Sequence, residues 1–100
     1  YILDQRYPEK FRDMLADITY RFGGGAFKNS KSLWTPTKDK LDFDATLKAI
    51  VKADTHAKRK AALESFKTLF MKTELYMNEK NTDRIDAIIK AVDDLKREWT

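Results

Sequence analysis

One hundred residues suffice for one small hydrophobic core, because a chain of this length withdraws roughly two-thirds of its unfolded surface from water on folding. With 42% hydrophobic and 12% aromatic residues the chain can offset its ordering entropy, and a single domain spanning residues 1–100 is expected; the absence of cysteine excludes a disulfide framework and a thiolate metal site. The formal charge of +4 is unevenly placed: residues 28–60 hold nine basic side chains (Lys28, Lys31, Lys38, Lys40, Lys48, Lys52, Lys58, Arg59, Lys60) against four acidic ones (Asp39, Asp42, Asp44, Asp54), the footprint expected of a polyanionic partner.

Taken in chain order, Phe11, Met14, Leu15, Ile18 and Phe22 recur at steps of three and four after Pro8, which predicts a first helix with one apolar stripe. Gly23 stands where a helix C-terminus often requires positive φ, so the run Gly23-Gly24-Gly25 is expected to end this helix and open a flexible turn. Thr35 and Pro36 suit an N-cap and first helical position, and Leu41, Leu47, Ile50 and Val51 form a shorter stripe. A second helix is therefore expected to start between Pro36 and Asp44, with Phe43 off its stripe. After a break near residues 54–56, Leu63, Phe66, Leu69, Phe70, Thr73 and Met77 predict a long third helix reaching towards Lys80. Its wide apolar arc, widened further by Met71, Leu75 and Tyr76, suits a central position.

The fourth helix is expected to begin at a cap from Asn81 or Thr82. Asp83 and Asp86 then fall in its first turn and Lys96 and Arg97 in its last, as the helix dipole favours. Ile85, Ile88, Val92, Leu95 and Trp99 give it a bundle-like seam. No stretch alternates with period two, so the expected fold is all-α: an antiparallel up-and-down four-helix bundle.

No apolar run approaches the roughly 20 residues that span a bilayer and no signal sequence opens the chain, so a cytoplasmic protein without membrane contact is expected. Tyr1 in place of an initiator methionine carries the expectation that leading residues are missing.

The catalytic and cofactor motifs fail one by one. A phosphate-binding P-loop needs Gly-Lys-Ser/Thr between a strand and a helix, and no glycine precedes Lys28 or Lys31. A dinucleotide fingerprint lacks its spacing and its strand. His56 is the only histidine, which rules out two-histidine and Cys/His metal sites, and among basic neighbours it reads as an exposed turn residue. Asp39, Asp42 and Asp44 lack the glycine and terminal glutamate of a calcium loop. Asp93 and Asp94 form the only other acidic cluster, and no Glu-x-x-His is present. No enzyme activity, cofactor or metal is expected.

What remains is basic. Lys52, His56, Lys58, Arg59, Lys60, Lys67 and Lys72 cluster in sequence around the start of the third helix, and Lys28, Lys31, Lys38 and Lys40 surround Phe27 and Trp34. Such cations either face solvent alone or neutralise phosphates without reading sequence, and a tryptophan among lysines either packs onto the end of the bundle or stacks on a single strand. The expected nucleic-acid-binding residues are Lys28, Lys31, Lys52, Lys58, Arg59 and Lys60.

The stretch AIVKADTHAKRKAALESFKTLFMKTELY, followed by DRIDAIIKAVDDLKREW, resembles the accessory variability determinant of diversity-generating retroelements and the related four-helix proteins of 23S rRNA intervening sequences. Ala53-Asp54 is similar to the family's polar turn, Lys58-Arg59 to its basic helix opening, Leu63 and Leu69 to its third-helix stripe and Trp99 to its closing tryptophan. The chain departs from the pattern at Arg97-Glu98-Trp99, where the family often has Gly-Gly-Trp, and in the insert GGGAFKNSKS. The resemblance implies a homo-oligomeric, often pentameric, non-enzymatic bundle that engages nucleic acid and a reverse transcriptase. Two rival expectations stand beside it: a protein-interaction module from a phage or mobile element, anchored on Trp34, Tyr76 and Trp99, and a helical domain of a larger enzyme.

Overall fold

The computed structural model describes residues 7, 9–23, 25–78, 80 and 82–98, including all their side chains except those of Phe22 and Lys28. Pro8, Asn81 and Trp99, assigned above to a helix start, a cap and a seam, lie outside the described residues. Every regular element among the described residues is helical: α1 Glu9–Phe22, α2 Ala26–Asn29, a 3₁₀ turn Lys31–Leu33, α3 Phe43–Lys52, α4 His56–Met71, α5 Glu74–Asn78 and α6 Thr82–Glu98.

On α1 the predicted Phe11, Met14, Leu15 and Ile18 are all buried. Gly23 ends the helix at φ +92°, its N–H donating to the Thr19 carbonyl over 2.8 Å. The segment beyond differs from the expected flexible turn. Ala26, Phe27 and Leu33 are buried, and the Phe27 ring packs on Phe43 at 5.4 Å and on Phe66 at 6.4 Å. Three apolar side chains in this connector supply enough burial to fix it, and α2 and the 3₁₀ turn form between them.

α3 begins later than Thr35-Pro36 suggests. Asp42 is its N-cap, accepting from the Ala45 N–H at 3.0 Å, while Thr35 closes a loop in which the Lys38 N–H donates to the Thr35 carbonyl and the Asp39 N–H to Thr35 Oγ1. Phe43 lies on the stripe and not off it: with the helix starting there, Phe43, Leu47 and Ile50 share the buried face. Thr55 caps α4, accepting from the Lys58 N–H at 3.2 Å.

The expected long third helix breaks after Met71. Thr73 is fully buried; its hydroxyl donates to the Phe70 carbonyl at 2.6 Å and accepts from the Tyr76 N–H at 3.1 Å. One side chain thus satisfies the end of α4 and the start of α5, and Met77, expected in the stripe, is exposed instead.

α4 packs against α3 and α6, and α6 also packs against α1. Phe66 of α4 meets Phe11 of α1 at 5.5 Å and Phe43 of α3 at 5.6 Å, so α4 holds the expected central position. The Tyr7 hydroxyl donates to the Leu47 carbonyl at 3.0 Å, anchoring the chain ahead of α1 onto α3. Lys67 pairs with Asp93 and Lys96 with Glu64, an order that makes α4 and α6 antiparallel. Lys10, near the start of α1, meets Glu98 at the end of α6. Among the described residues no helix is long and apolar enough to cross a membrane.

Candidate nucleic-acid interface

Lys52 ends α3 and Lys58, Arg59 and Lys60 occupy the first turns of α4, so the turn between these helices gathers four of the six predicted residues. Lys52, Lys58 and Lys60 are exposed and Arg59 is half-buried. Lys58 pairs with Asp54 at 3.1 Å, but both side chains are about two-thirds exposed or more (66% and 72%), and such a pair contributes at most about 1 kcal/mol. Lys60 borders a shallow groove between α4 and α6 whose other walls include Asp86, Lys90, Asp93 and Asp94, a mixed-sign surface.

Lys31 stands elsewhere. The carbonyl of Trp34, at the end of the 3₁₀ turn, accepts from the Glu74 N–H at 2.7 Å, which places this connector beside the far end of α4. At about 1.5 Å per residue α4 is about 24 Å long, so Lys31 and the Lys58 group lie at opposite ends of it. The predicted basic residues therefore form two regions, and the side chain of Lys28 lies outside the described residues. Lys72, grouped with Lys58 by sequence, follows the distal end of α4.

Lys67 also leaves the basic group. Its ammonium donates to Asp93 at 2.9 Å, and Lys96 bridges Asp93 and Glu64. The hydrogen bond from Lys67, joined by that from Lys96, holds the Asp93 carboxyl below its ordinary range against the opposing effect of burial. The bond from Lys96 lowers Glu64 in the same way, and Glu64 raises Lys96 in return. Asp94 pairs with Arg97. The acidic pair Asp93 and Asp94 is thus bound up in ion pairs across and along α6, and among the described residues no group of three or more His, Cys, Asp or Glu side chains is placed to hold a metal ion.

Sequence reasoning passed over how Trp34 and Lys40 are arranged. Trp34 is half-buried with Lys40 Nζ 6.0 Å from its ring centroid, whereas Phe27 is buried in the core and presents no stacking face. The lysine run around Trp34 was the available signal; which aromatic ring stays open depends on packing.

Comparison with protein-family models, with curated proteins and with solved structures finds no match to this chain.

Proposed function

We propose that this chain is a non-enzymatic accessory protein whose four long helices form an antiparallel up-and-down bundle, and that the α3–α4 turn binds nucleic acid without reading its sequence. The pairing of α4 with α6 and of the start of α1 with the end of α6 supports the bundle. One observation carries the binding reading: Lys52 and Lys60 are exposed with no acidic partner within ion-pair distance among the described residues, and they flank Lys58, whose own partner is exposed. Lys58 and Lys60 sit where the N-terminus of α4 adds positive potential, and Lys52 lies at the C-terminus of α3. The family resemblance extends the proposal to self-association and to a nucleic-acid enzyme such as a reverse transcriptase as partner. The aromatic-anchor alternative draws less support, because the Tyr76 ring packs edge-on against Phe70 at 6.1 Å.

Fluorescence anisotropy with an RNA of arbitrary sequence tests this. Affinity is expected to fall roughly tenfold or more between about 50 and about 200 mM salt, and replacing Lys52, Lys58 and Lys60 together by glutamate should flatten the log–log slope by about 0.7 or more for each phosphate no longer neutralised. Binding that ignores salt, or a triple variant that binds like the parent, contradicts the proposal.

A further inference from the structure

The second cationic region has a different construction from the α3–α4 turn. Resting on the nucleic-acid reading above, we infer that the connector ahead of α3 is a stacking site for single-stranded nucleic acid, with the Trp34 indole as base platform and Lys31, Lys38 and Lys40 as phosphate contacts.

The platform is fixed on both sides. The Trp34 N–H donates to the Lys31 carbonyl at 3.1 Å, and its carbonyl accepts from Glu74 at 2.7 Å. The indole Nε1 is buried and has no hydrogen-bond partner among the described residues, so the nitrogen edge of this half-buried ring is turned inward. The loop that follows is also closed. The Thr35 N–H donates to the Asp39 carbonyl at 3.0 Å, Lys38 donates back to Thr35 at 2.8 Å, and Lys38 takes φ +68°, a left-handed conformation that a non-glycine residue holds only when its surroundings enforce it. A loop so constrained fixes the backbone from which its lysines project and loses little backbone freedom on binding.

The charges face outward. Lys31, Lys38 and Lys40 are exposed, and none has an acid within ion-pair distance among the described residues. Of the neighbouring acids Asp44 is charge-paired, with Lys48, while Asp39 accepts from Thr37 Oγ1 at 2.8 Å and Asp42 caps α3, so three lysines face two acids that keep their charge. Lys40 over the indole marks the ring face as one that already attracts a cationic group, and a stacked base takes that place while Lys40 moves to the adjoining phosphate. A duplex keeps its base faces stacked internally, so the platform selects single strands.

The test uses a chain in which the other tryptophan is removed by Trp99→Phe, so that fluorescence reports Trp34 alone. The probes are an oligothymidylate of about 12 nucleotides, a duplex of matched length and polyglutamate. Oligothymidylate should quench Trp34, and the duplex and polyglutamate should not. Trp34→Leu, with its helicity checked by circular dichroism, should weaken oligothymidylate binding about fivefold or more while leaving the salt slope unchanged. The glutamate triple variant at the α3–α4 turn should still show the quench at saturating strand. Equal quenching by the duplex, equal quenching by polyglutamate, or oligothymidylate binding without quenching overturns the stacking site and leaves nucleic-acid binding at the α3–α4 turn standing. Absence of any nucleic-acid binding overturns both.

Discussion

Phe66 meets rings from α1, α2 and α3 while belonging to α4, so one side chain joins four elements. Phe66→Ala is expected to cost about 3–5 kcal/mol, read as a lowered urea midpoint, because the neighbouring rings cannot collapse fully into the space left. Thr73 works differently, since it is buried for its hydroxyl. Thr73→Val keeps the shape but leaves the Tyr76 N–H without that partner, at a cost of about 1–3 kcal/mol, while the Phe70 carbonyl keeps the Thr73 N–H at 3.1 Å; Thr73→Ser keeps both hydroxyl bonds and should cost less. Equal midpoints for the two variants would show that the hydroxyl is not what ends α4. At Gly23 an added Cβ would meet nothing within 4 Å, so Gly23→Ala should lower stability through the positive φ alone, by about 1 kcal/mol.

At the scale of elements, the ion pairs between α4 and α6 set a pH dependence. Glu64 and Asp93 have carboxyl pKa values below their ordinary range in the fold, so their contribution is present above that range and is lost as pH falls through the lowered values. Lys96 is raised, so its contribution is present below the ordinary lysine range and is lost as pH rises through the raised value. Stability from this network therefore forms a plateau around neutrality. In Lys96→Met the loss of stability between about pH 5 and about pH 3 should be shallower than in the parent, measured by thermal unfolding; an unchanged slope would contradict the assignment.

The stripes of α1 and α6 are legible in the sequence because their apolar residues repeat at the helical period through to the end of each element. The break at Thr73 is not, because threonine fits the same period, no glycine or proline marks the site, and what decides it is a buried hydrogen bond. The start of α3 misleads for a related reason. Thr35-Pro36 has the right chemistry for a helix N-terminus, but Lys38 turns left-handed two residues later, and Asp42 supplies the working cap. Phe43 looks off-stripe only while the helix is begun too early. The basic residues are equally visible in sequence, but their division into two regions follows from the length of α4 and from the Glu74 bond to Trp34, neither of which composition reveals.

Across the whole molecule, which extends 34 × 24 × 22 Å, exposed lysines collect at the two ends of α4, while three acids of α6, Asp93, Asp94 and Glu98, are taken up in ion pairs. Between α1 and α6 lies a groove where Asp13, Asp17 and Asp83 face Arg21 and Arg84, a mixed surface with no net attraction for phosphate. The most direct measurement is an amide chemical-shift map of the chain titrated with a single-stranded oligonucleotide. The predicted result is shifts concentrated in residues 31–40 and 52–60, with the groove between α1 and α6 unmoved; shifts centred on that groove, or none at saturating strand, would contradict the account.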